Sequence, residues 1–145
     1  MPRDPIIEAM KATDIKMLRE AKYTIENGIL SKAGIYDANG VACIEASVHF
    51  PDRGGGATLG GLTCGQFNPP YKTFRGTRYG MEALLWLMAV AGVERSDDLG
   101  GQYVRVAFDE TGKARYIGHI VRDIWLDFER LAKGVSDEEP AKKGN

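Results

Sequence analysis

Hydrophobic and polar positions change period along the chain, and the changes mark its elements. From Ile6 to Ala21 the apolar residues Ile7, Met10, Ile15, Met17 and Leu18 fall on one side of a helix. Asp14 offers an alternative, as the cap of a second short helix from Ile15. After Tyr23 the period becomes two. Asn27-Gly28 reads as a turn or bulge, and Ile29–Asp37 as an extended run closed by the turn Asp37-Ala38-Asn39-Gly40. In the next run Ala42, Ile44, Ala46, Val48 and Phe50 form the core face, opposite Val41, Cys43, Glu45, Ser47 and His49.

Glycine and proline shape the middle of the chain. Pro51–Ala57, with three consecutive glycines, is a hairpin loop or a nest of N–H groups around an anion. It lacks the Lys-Ser/Thr of a phosphate-binding P-loop. Gly60, Gly61 and Gly65 interrupt a strand pattern over Thr58–Phe67, predicting a bulge or the close approach of another backbone or a ligand. Asn68–Gly76 reads as a loop because of its two prolines. Thr77 then caps a helix to Ala91, with a stripe of Met81, Leu84, Leu85, Met88 and Ala91, and Gly92 as its stop. Trp86, Leu87 and Val90 widen the apolar surface, so a largely buried helix or one at a subunit interface is expected.

Val104, Val106 and Phe108 alternate with Tyr103, Arg105 and Ala107, Glu110-Thr111-Gly112 turns, and Arg115–Val121 returns. If Phe108 pairs with Ala114, Arg105 faces Ile117, Tyr103 faces His119, and Arg105 and His119 share a face. Arg122–Lys133 reads as a terminal helix, and Ser136–Asn145 as a disordered polar tail. The expected fold is α+β: an antiparallel sheet of about five to six strands packed on one long buried helix, with short helices at both ends. One domain spans residues 1–134, followed by the tail at 135–145.

Composition adds bounds. With 145 residues, 43% hydrophobic, and a net charge of −1, the chain is large enough for a sizeable core and has no general pull toward polymeric nucleic acid or anionic membrane. No apolar run reaches the ~20 residues of a membrane span, and no secretory signal pattern opens the chain, so a cytoplasmic protein is expected. Cys43 and Cys64 are expected as reduced, buried thiols rather than a disulfide. They form no zinc site, and neither metal nor cofactor is expected.

Enzyme motifs are thin. His49 and His119 with Asp123 are the acid–base set the sequence offers, although a strand histidine is more often packed. The arginines carry more information. Arg105 lies mid-strand among apolar residues and needs a partner, either Asp123 or a ligand phosphate. Arg75 and Arg78 stand at a helix start, which favours anions. With Tyr71, Phe74 and Tyr79 they describe a pocket for a phosphorylated, base-containing small molecule, or salt bridges plus core aromatics. Tyr103, His119, Asp123 and Arg53 complete the candidate ligand-binding set.

The order of motifs resembles a known family. It runs Gly54-Gly55-Gly56, Gly60-Gly61, Ala91-Gly92-Val93-Glu94, Asp98-Leu99-Gly100-Gly101 before Tyr103-Val104-Arg105-Val106, then Ile117-Gly118-His119-Ile120-Val121 with Asp123 and Trp125. Over about residues 21–126 this is similar to the phage Thoeris anti-defence sponge proteins of the first type. Leu62 and Leu126 stand where the family pattern has aromatics, and the N-terminal helix and tail are additions. The resemblance implies a non-enzymatic role in the host cytoplasm: sequestration of cyclic ADP-ribose isomers, in some members cyclic oligonucleotides, by a hexameric homo-oligomer.

Overall fold

A computed structural model describes residues 4–135. The expected tail from Ser136 lies outside the described residues. Helices α1 (Asp4–Met10) and α2 (Ile15–Glu20) come first, then strands β1 (Thr24–Ala38), β2 (Val41–His49), β3 (Gly56–Asn68) and β4 (Thr73–Gly76). Helix α3 (Arg78–Ala91), strands β5 (Tyr103–Phe108), β6 (Ala114–His119) and β7 (Trp125–Leu126), and helix α4 (Phe128–Gly134) follow. All strands pair antiparallel in one sheet, ordered β4-β3-β2-β1-β5-β6-β7.

The α+β class and the antiparallel sheet match expectation. The sheet has seven strands rather than five or six. The proline loop is one reason: Pro69–Tyr71 make a single 3₁₀ turn, and Lys72 takes the left-handed region at φ 55°. That reverses the chain tightly, and Thr73–Gly76 zips onto the edge of β3. The terminal helix is the other reason. It starts at Phe128, where the Asp127 carboxylate accepts the Glu129 and Arg130 N–H groups, so Trp125–Leu126 are left to pair with β6. At the N-terminus the two-helix alternative forms, because the Asp14 carboxylate accepts the Met17 N–H at 2.9 Å.

Two glycine signals have specific causes. Asn27-Gly28 is not a turn, since β1 runs straight through it. A Cβ on Gly28 would collide with Val48 of the neighbouring strand and crowd Phe50 just past its end, so the glycine marks close approach. Gly60 combines both readings of its strand. It has φ +88° beside a register shift between β2 and β3, and a Cβ there would meet the Ile44 carbonyl at 2.8 Å and the Phe128 ring at 3.3 Å. By contrast Asn39-Gly40 forms the expected hairpin turn, both residues at positive φ and the Gly40 N–H bonded to Asp37.

The sheet curls around α3, and β3 and β6 approach each other although three strands separate them in the sheet order. The Thr77 hydroxyl caps α3 by accepting the Gly80 N–H, and Gly92 at φ 75° ends it. The helix is not buried all round, and its phase differs from the expected stripe. Of the expected stripe Met88 and Ala91 are buried and Leu84 packs on the core, whereas Met81 is 62% and Leu85 37% exposed, and the buried face also takes in Tyr79, Ala83, Leu87 and Val90. Gly80 decides this: a Cβ there would sit 2.7 Å from the Cys64 Cβ, so the bare side of the helix start presses onto β3. Leu30, Ile44, Val48, Phe50, Val104, Val106 and Ile117 complete the main core. A smaller cluster of Leu18, Ala107 and Trp125 lies on the other face of β5, under α2. Cys43 and Cys64 are both buried and unbridged. Among the described residues no helix is long and apolar enough to cross a membrane.

The phase of α3 yields a prediction. Leu87→Ala, at a fully buried site, lowers unfolding free energy by about 2–5 kcal/mol, whereas Leu85→Ala changes it by less than about 1 kcal/mol. Denaturant unfolding of both variants checks this. Equal losses, or the reverse order, would place the buried face elsewhere.

Candidate functional site

The candidate residues fall into two groups, and the sheet keeps them apart. Arg105 belongs to the β5–β6–β7 side. Phe108 does pair with Ala114, but the register then shifts: Ala107 pairs with Tyr116, Arg105 with Gly118 and Val104 with His119. Arg115 is the extra residue. This bulge moves His119 to the opposite face from Arg105, against the expected shared face, because side chains alternate with each residue.

Arg105 meets a glycine, and the indole of Trp125 fills the space. A Cβ on Gly118 would overlap the Trp125 ring. The Arg105 guanidinium lies over that ring, 4.7 Å from its centroid. Its Nε donates to the His119 carbonyl at 2.8 Å and its Nη2 to the Arg122 carbonyl at 2.9 Å. Burial lowers the Arg105 pKa from its ordinary value, while the Asp123 charge opposes that shift. Asp123 is bound elsewhere: its Oδ1 accepts Trp125 Nε1 and the Ile15 N–H, both at 2.7 Å. His119 holds the intervening turn, with Nδ1 accepting the N–H groups of Val121 (3.0 Å) and Arg122 (2.9 Å). Burial first, then the Arg122 and Arg105 charges, push its pKa below the usual imidazole value. Arg105, His119 and Asp123 therefore clamp a loop into a structural knot.

Two further candidates are also engaged within the fold. Arg53 pairs with Glu26 at 2.9 Å and lies over the Phe50 ring, 4.5 Å from its centroid. In its glycine loop the Gly54 N–H goes to the Phe50 carbonyl, consistent with a hairpin loop rather than an anion nest. Tyr79 points into the core, its hydroxyl without a hydrogen bond among the described residues, and burial raises its pKa. Tyr103 is exposed on β5, across from Ile29.

The second group is accessible. In the β3–β4 hairpin Tyr71 is 75% and Phe74 51% exposed, and Lys72, Arg75 and Arg78 are exposed beside them. Phe74 packs edge-on against Phe67 with centroids 5.5 Å apart, which orients its ring. Arg75 pairs with Gln66 and Phe74 with Phe67, so the cation and the ring occupy opposite faces of the hairpin. The tip lies at Pro69–Lys72, and the opposite end of β4 leads into α3. Phe67 joins this group only through its pairing with Phe74 across the hairpin, which the strand-forming Thr73-Phe74-Arg75 after the Pro-Pro turn could have signalled.

β4 is one edge of the sheet and β7 the other, so no strand pairing brings Phe74 and Arg75 to Arg105. An open depression of about 560 Å³ lies past the end of α3, lined by Glu94, Asp97, Asp98, Arg95 and Gln102 among others. Three carboxylates against one arginine suit it poorly to a phosphate. The chain matches no family model, no curated protein and no solved structure.

The knot gives a second prediction. Arg105→Lys loses the planar fork that spans two carbonyls, and lowers unfolding free energy by about 1–3 kcal/mol. Equilibrium denaturation measures it. A variant as stable as the parent would mean that the guanidinium is not needed by the fold.

Proposed function

We propose that this protein is a phage anti-defence protein that captures a cyclic nucleotide immune signal and holds it uncleaved. The ligand class is the cyclic ADP-ribose isomers, with cyclic oligonucleotides as a second class. The observation that carries the reading is the β3–β4 hairpin, which exposes Tyr71, Lys72 and Phe74, with Arg75 exposed on its other face. Aromatic faces stack bases, and a guanidinium binds phosphate oxygens in pairs. The sequence resemblance supports the same ligand class. One hairpin offers one wall, so the reading includes a homo-oligomer, hexameric by the resemblance, in which a second subunit closes the pocket. An acid–base role for His119 and Asp123 is less well supported, since both already accept backbone N–H groups.

Uptake is the test. The protein is incubated with cyclic ADP-ribose isomers made by a TIR enzyme, then heat-denatured. Recovery of intact ligand supports sequestration, no uptake sinks it, and breakdown products point to catalysis. Phe74→Ala weakens binding by about 1–3 kcal/mol and leaves unfolding unchanged. Calorimetry that finds full affinity in this variant would remove the hairpin from the site.

A further inference from the structure

Besides Arg105 and Asp123, one ring nitrogen ties down the loop from His119 to Ile124. His119 Nδ1 accepts two backbone N–H groups at once, from Val121 and Arg122. A nitrogen placed this way must carry no proton, so the neutral ring is the Nε2–H tautomer. The Nε2 edge faces the end of α3, 3.3 Å from where a Cβ on Gly92 would stand. The charged groups acting on the ring are Arg122, from the loop itself, and Arg105, from β5. Asp123 directs its carboxylate away, to Trp125 and Ile15.

We propose that His119 is a pH-sensitive latch: its neutral ring holds the loop closed, and protonation of Nδ1 releases the loop. A protonated Nδ1 would point an N–H at two N–H donors, with two guanidinium groups nearby. Release frees the Arg122 carbonyl from Arg105 and loosens the Asp123 anchor on the first N–H of α2. The sign follows from the direction of the shift. The folded-state pKa is depressed, so the latch stabilises the fold above the ordinary imidazole pKa. That contribution is lost as pH falls below it toward the folded value. The latch is independent of what the β3–β4 hairpin binds.

The experiment uses the full chain carrying His49→Gln, which leaves a single histidine. Nitrogen-15 NMR reads the His119 tautomer, and amide exchange reads Val121 and Arg122 across the imidazole range and about two pH units below it. The expected result is an unprotonated Nδ1 at neutral pH. Protection factors at both amides then fall by about tenfold or more as the ring protonates. His119→Asn keeps an acceptor near the Nδ1 position without titrating, and should show no such transition. An Nδ1–H tautomer at neutral pH, unchanged protection after protonation, or the same transition in His119→Asn would each overturn the latch. The tautomer and exchange readouts on the histidine protein decide the matter even if the asparagine variant does not fold.

Discussion

Gly118 and Trp125 share one volume, and the second half of the fold depends on it. The indole lies where any larger residue at 118 would place its side chain, and Trp125 is almost fully buried there. Arg105 covers the ring from above and grips the loop on both sides of it through the His119 and Arg122 carbonyls. With the ring fixed, its N–H orients Asp123, and Asp123 holds the start of α2. Two residues after Trp125, Asp127 begins α4 and meets Arg115 at 3.5 Å. One aromatic–glycine contact thus sets β7, the N-terminal helix and the C-terminal helix together. A stack of this kind contributes about 0.5–2 kcal/mol through the cation alone. The fixed geometry matters more, because it satisfies two carbonyls that the loop would otherwise leave unpaired.

Cations beside aromatics have two uses here, and their position in the sheet separates them. Arg53 over Phe50 and Arg105 over Trp125 each pair with groups of the same chain. Such pairs look like ligand sites in a sequence, because the same chemistry stacks a base or stacks a tryptophan. Tyr71, Lys72, Phe74 and Arg75 are exposed on a hairpin at the sheet's edge. Sequestration without chemistry asks only for such a surface and a second wall to enclose the ligand.

How much the sequence disclosed depended on the range of the forces involved. Asn39-Gly40, the Thr77 cap and the Gly92 stop were legible because each is decided within a few residues. β4 and β7 were not, since a strand of two to four residues exists only through its distant partner. Gly28 looked like a turn but answers to Val48 and Phe50, about twenty residues away. The α3 stripe was misphased because the apolar run from Ala83 to Val93 fits several faces, and Gly80 against Cys64 chose among them. Arg105, Arg75 and Phe74 were all found as unusual residues. Their division followed from distant strand pairing, and the bulge at Arg115, which no local pattern signals, put His119 on the other face from Arg105.

The two halves of this picture meet in a single claim: the Arg105 hairpin holds the fold, and the β3–β4 hairpin meets the ligand. Amide chemical-shift mapping during titration with a cyclic ADP-ribose isomer addresses both at once. Large shifts confined to Tyr71–Arg78, with residues 103–106 and 118–125 quiet, are the expected result. Shifts centred on Arg105, His119 and Trp125, with the β3–β4 hairpin silent, would contradict it.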